Sequence, residues 1–131
     1  MSYWFILVAM IFCHIVDDYY LQGWLASAKQ KKWWQEHAPD ALYKYDYIIA
    51  LVMHSISWSF MIMLPWAIFL GFAPSVSYFV LLVANVIVHA FVDDLKANKS
   101  KINLIIDQLI HMIQIVVTAT IMMAWHGTMI V

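Results

Sequence analysis

Apolar residues run almost without a break through four stretches of the chain, roughly 2–21, 47–70, 75–95 and 102–125. Each has about 20 residues or slightly more, the length a helix needs to cross a hydrocarbon core of about 30 Å. The pattern predicts an all-α protein, an integral membrane four-helix bundle forming a single transmembrane domain over 1–131. The polar residues inside these stretches are spaced rather than scattered. His14, Asp18 and Gln22 follow one another at intervals of four, as do Asn85, His89 and Asp93, with Lys96 continuing the second stripe. The fourth stretch carries Asp107, Gln108 and His111, and the second carries His54. Intervals of three and four place side chains on one face of a helix. Segment 23–46 differs, with Trp24, Trp33, Trp34, Tyr43 and Tyr45 set among lysines. It reads as a short interfacial helix in the headgroup region, ended near Pro39.

Composition strengthens this picture. The chain is 65% hydrophobic and 11% charged, too apolar for a soluble domain of 131 residues. All seven basic residues are lysines, falling at 29, 31, 32 and 44 between the first two spans and at 96, 99 and 101 between the last two. The connection from Gly71 to Ser77 has none. The positive-inside rule then places both lysine-bearing connections in the cytoplasm and both termini on the opposite side. A formal charge of −1 without arginine argues against a nucleic-acid partner. The one cysteine, Cys13, lies in the first span and can form no intramolecular disulfide. Ala26-Ser27-Ala28 has the spacing of a signal-peptide cleavage site, but no lysine or arginine precedes the apolar run, and that run contains His14, Asp17 and Asp18.

Up-down topology gives the polar stripes a common depth. At about 1.5 Å per residue, His14, His54, His89 and His111 all lie about 9 to 13 Å from the cytoplasmic end of their spans. Asp18, Asp93 and Asp107 form a second layer about 3 to 8 Å deep. Four imidazoles and three carboxylates around one point are a ligand set for one or two divalent metal ions, with zinc the foremost candidate. Gln22, Asn85 and Gln108 are placed to orient those ligands, and Lys96 to meet an anionic group. Asp17 and Asp94 read as solvated interfacial charges, and Lys96 as either such a charge or the anion-binding group. Two other readings use the same residues, an ion-free His–Asp hydrogen-bond network and a proton path. The apolar far halves of the first three spans argue against the path.

The linked motifs His14-x-x-x-Asp18-x-x-Leu21-Gln22 with Trp24 to Lys29 after it, His54 early in the second span, His89-x-x-x-Asp93-x-x-Lys96 and Asp107-Gln108-x-x-His111 resemble the bacterial and phage membrane family known as domain of unknown function 3307. The resemblance covers all four spans in order. It implies a bacterial inner-membrane location and names no reaction. The chain is also similar to the broader set of small membrane proteins described as metal-dependent hydrolases.

The expected function is therefore a membrane-embedded metal-dependent hydrolase acting on a lipid or lipid-linked substrate at the cytoplasmic leaflet. Asp18, Asp93 or Asp107 would serve as general base. The rival is a non-enzymatic membrane effector or assembly protein in which the cluster staples the bundle. Membrane lipid is the expected partner. A homo-oligomer is open to the chain, although no small-residue dimer motif marks one.

Overall fold

The structure is a computed structural model that describes residues 2–129. Six α-helices, two other helical turns and no strand occur among the described residues. Helix α1, Tyr3–Val16, runs directly into a π-helical turn, Asp17–Leu21. Two short helices follow, α2 at Leu25–Ala28 and α3 at Lys31–His37, and then a 3-10 turn at Ala41–Tyr43. Three long helices complete the chain: α4 at Asp46–Phe69, α5 at Val76–Ala97 and α6 at Leu104–Met129. Segment 23–46 thus contains several short pieces where one short helix was expected. Gly23 takes a φ of 50°, a left-handed conformation that breaks the chain before α2. Pro39 drives the residue before it out of the helical region, and Ala38 has φ −146° and ψ 70°.

Local chemistry sets the helix ends. Ser2 Oγ accepts the Phe5 amide at the start of α1, and Asn103 Oδ1 accepts the Ile106 amide at the start of α6. After α4 the chain turns through Gly71 and Phe72, both at positive φ, and the Phe72 amide bonds back to the Ala67 carbonyl.

The four long helices form a ring in chain order, α1 against α4, α4 against α5, α5 against α6, and α6 back against α1. Toward the chain termini the interior is apolar, with Ile6, Met10, Ile62, Trp66, Ile115 and Met122 buried together. At the other end it is polar. The outer surface inverts this order: Trp4 and Val76 are about four-fifths exposed, and Phe12, Val83, Ile105 and Val117 also point outward. An apolar exterior around a polar interior suits a protein solvated by lipid. Among the described residues, four helices are long and apolar enough to cross a membrane: Tyr3–Leu21, Ala41–Phe69, Val76–Ala97 and Leu104–Gly127.

The apolar end is closed by Tyr3, whose hydroxyl lies 2.8 Å from His126 Nδ1 across the first and last helices. Tyr3→Phe should lower stability by about 1 kcal/mol, the usual net contribution of such a bond. Thermal unfolding in detergent measures this.

Candidate metal centre

The polar end is built first by the turn that closes α1. Consecutive residues of an α-helix point about 100° apart, so Asp17 and Asp18 in a regular helix would face different surroundings. Here the π-helical turn turns both inward. Asp17 Oδ1 accepts from Ser57 Oγ at 2.6 Å, and its buried Oδ2 lies 3.9 Å from His54 Nδ1. Asp18 Oδ1 is 3.4 Å from His54 Nε2. Asp17 is 1% exposed and so is not the solvated charge expected at this position. Asp94 does lie at the edge, paired with Lys99 at 2.8 Å.

Helix α5 supplies His89 and Asp93, one turn apart. His89 Nε2 is 3.2 Å from His54 Nε2 and 3.8 Å from Asp93 Oδ2, while Asp93 Oδ2 is 3.4 Å from His54 Nε2. Helix α6 supplies Asp107 and His111, and His111 Nε2 lies 3.4 Å from both Asp93 Oδ1 and Asp107 Oδ1. Two groups, Asp18 with His54 and His89, and His89 with Asp93 and His111, bring one donor atom per residue within 4.8 Å of one another and could hold a metal ion. Four donors placed tetrahedrally about 2.0 to 2.2 Å from an ion sit about 3.3 to 3.6 Å apart, close to the spacings found here.

His14 was expected among the ligands, but both of its ring nitrogens are engaged elsewhere. The Trp58 indole donates to His14 Nδ1 at 2.7 Å. Indole nitrogen can only donate, so Nδ1 is the acceptor and Nε2 carries the proton. That proton goes to Gln108 Oε1, 3.0 Å away, and the Gln108 amide donates to Asp18 Oδ2 and Asp107 Oδ2 at 3.0 and 3.1 Å. A hydrogen-bond chain of fixed direction thus runs from Trp58 through His14 and Gln108 to two carboxylates. Asn85 departs further from expectation. Its carbonyl oxygen accepts from Gln114 at 2.8 Å and Thr118 at 3.1 Å, forming a separate α5–α6 contact deeper in the bundle. Gln22 reaches the cluster, donating to Asp18 Oδ1 at 3.3 Å with its nitrogen 3.5 Å from His54 Nε2. His37, stacked on Trp33, and His126 lie outside it.

Two side chains not expected at the centre are integral to the site. Lys29, at the end of α2, is buried, and its ammonium donates to Asp93 Oδ2. The small residues Ala26-Ser27-Ala28 before it were the available signal, because they let α2 lie close against the bundle and Ala28 is fully buried. Asn98 holds the segment in place, donating to the Lys29 carbonyl at 3.1 Å and accepting the Lys31 amide at 2.7 Å. The second is Trp58, fully buried and stacked on His89 with ring centroids 4.1 Å apart and planes at 17°. Lys96 meets Asp107 Oδ2, so each of two central aspartates has one oxygen on a lysine and the other turned to His111.

The residues fit a cation in two respects. Seven buried polar atoms of this cluster have no hydrogen-bond partner among the described residues: Asp17 Oδ2, Asp93 Oδ1, Asp107 Oδ1, Nδ1 of His54 and His89, and both ring nitrogens of His111. Buried polar atoms without partners are costly, and most so away from water. Second, Asp17, Asp18, Asp93 and Asp107 bring four negative charges, against which Lys29 and Lys96 bring two positive ones. One divalent cation beside neutral imidazoles makes the cluster neutral, as would two imidazolium ions at His54 and His111, which face the same carboxylates.

The site is open on one side. A cavity of about 510 Å³ reaches Asp18 and Gln108 from the lysine-bearing end, between Lys29, Lys32 and Lys96.

The model of the family described as "Protein of unknown function (DUF3307)" matches residues 6–130. Neither the curated proteins nor the solved structures include a match to the chain.

Proposed function

The chain belongs to that family of unknown function, nearly its whole length being matched, and from its geometry we propose a membrane-embedded, metal-dependent hydrolase. Its substrate is a lipid or lipid-linked molecule reached from the cytoplasmic leaflet of a bacterial inner membrane. The observation that carries this reading is the set of orphaned donors around His111, Asp93 and His89, beside a cavity that leads to Asp18.

His89, Asp93 and His111 would hold the ion, three ligands being the number typical of catalytic sites. A bound divalent ion, zinc being the best match to this donor set, supplies Lewis acidity and acidifies water. Asp18 is the general base. Its Oδ2 is fixed by Gln108, its Oδ1 lies against His54, which can relay a proton, and the residue lines the cavity. Asp17 steers His54 from the opposite ring nitrogen. Asp93 and Asp107 are closed off behind Lys29 and Lys96 and serve as ligand and support.

Elemental analysis of protein purified without chelator is expected to find about one divalent ion per chain, because one ion balances the charge. Restoring the ion to chelated protein at a hundred times its dissociation constant should raise stability by about 2.7 kcal/mol. No ion, or no effect of adding one, would overturn the reading. Asp18→Asn should keep the ion and slow metal-dependent release of product from proteoliposomes by about 10² to 10⁴.

One feature favours the non-enzymatic staple. The Trp58–His14–Gln108 chain ties α1, α4 and α6 together whether or not an ion is bound. Metal that stabilises the bundle with no turnover in any lipid extract would establish the staple.

A further inference from the structure

A second opening lies beside the lysine cavity. A groove of about 450 Å³ runs between α1 and α6, lined by His14, Ile15, Tyr20 and Met112, and it shares Tyr19 and Gln108 with the cavity. Both helices are long and apolar enough to cross a membrane, so in a bilayer the groove opens to lipid chains. Its walls suit such a chain, but its floor is polar, since His14 and Gln108 lie there. Both side chains are already hydrogen-bonded, to Trp58, to each other and to two aspartates, so the groove itself calls for an apolar chain and the charged cavity beside it for a headgroup. A molecule with an apolar chain and a polar headgroup meets both parts.

The charges choose the headgroup. Once a divalent ion balances the buried aspartates, the mouth of the cavity keeps Lys32, which is four-fifths exposed and only loosely held by Glu36 at 3.6 Å. Lys96 lines the same cavity and is 28% exposed, its ammonium on Asp107. Lysine is a point-charge donor suited to phosphate.

From these features, and resting on the metal reading above, we infer that the site binds a phosphate-bearing lipid, its headgroup in the Lys32–Lys96 cavity and one chain leaving through the α1–α6 groove. The lipid reaches the centre sideways from the bilayer, passing Tyr19 and Gln108.

The full chain in a phosphate-free maltoside detergent, with bound metal counted separately for every sample, provides the test. Native mass spectrometry with phosphatidic acid, diacylglycerol and soluble glycerol 3-phosphate as probes should show phosphatidic acid bound at least about tenfold more tightly than either of the others. Lys32→Glu, which alters the headgroup end, and Ile15→Trp, which fills the groove, should each weaken phosphatidic acid by about tenfold while the metal count stays at the wild-type value. Val83→Trp, on an outward face away from the groove, should change nothing. Equal binding of diacylglycerol would overturn the phosphate assignment, and equal binding of glycerol 3-phosphate the lipid assignment. Unaltered binding in Ile15→Trp would overturn the lateral route. Metal present without phosphatidic acid preference overturns this inference alone, whereas no metal in the wild-type protein overturns the reading of the centre and this inference with it.

Discussion

Asp93→Asn is expected to empty the centre and to destabilise the bundle, two effects that a second substitution separates. Asp93 is the hub of the site, touching Lys29, His54 and His89 through Oδ2 and His111 through Oδ1. Asparagine has nearly the same shape but no charge. Metal content should fall from about one ion per chain to background, since a carboxylate ligand is lost. The Lys29 ammonium, whose side chain is only 6% exposed, is left without its counter-ion. Breaking a buried pair from one side costs about 3 to 5 kcal/mol. Adding Lys29→Met should recover much of that loss, because the stranded charge is gone, yet restore no metal. Thermal unfolding in detergent and elemental analysis on the same samples read the two effects. Full metal occupancy in Asp93→Asn would remove Asp93 from the ligand set. Equal stability of the single and double variants would show that the Lys29 pair contributes nothing.

Trp58 is the other position with a large expected effect. It sits at the boundary between apolar core and polar cluster, fully buried, with one face on His89 and its indole nitrogen on His14. Trp58→Ala opens a cavity under both and should cost about 3 to 5 kcal/mol. Trp58→Phe keeps a ring against His89 and deletes only the donor to His14 Nδ1, leaving a buried acceptor unsatisfied at about 1 to 3 kcal/mol. The phenylalanine variant carries a spectroscopic mark as well. Without the indole donor the His14 proton is free to move from Nε2 to Nδ1, so the nitrogen chemical shifts of that ring should report a mixture of tautomers in place of one. A single unchanged tautomer in Trp58→Phe would mean that something other than Trp58 sets the direction of the chain through Gln108.

Lys29 and Asp17 show why part of the site was hidden in the sequence. A helix of regular pitch predicts that of two adjacent aspartates one faces in and the other out, and by that rule Asp17 belonged at the surface. The π-helical turn at Asp17–Leu21 breaks the rule, and no residue in that stretch announces it. Lys29 lies in a polar connection where lysine ordinarily meets solvent. Only the fold of segment 23–46 against α4, fastened to the end of α5 through Asn98, carries its ammonium to Asp93. His14 erred in the opposite direction. Its depth matched that of the other histidines, but depth does not say which atoms lie beside a ring, and Trp58 and Gln108 claim both of its nitrogens. Asn85 shared a stripe with His89 and Asp93 yet pairs deeper with Gln114 and Thr118, since one helix face passes several neighbours along its length.

Four apolar spans, their lysine-bearing ends and the stripes that bring His54, His89 and His111 to one level, with Asp93 in the layer next to it, were determined by the sequence alone, because helix pitch and span length convert spacing directly into face and depth. The tertiary structure decided which donors are free, which are held by Trp58, Lys29 and Lys96, and on which side the cluster opens. Those outcomes depend on the approach of side chains from different helices at distances of 3 to 4 Å, and periodicity along one strand of chain carries no information about that.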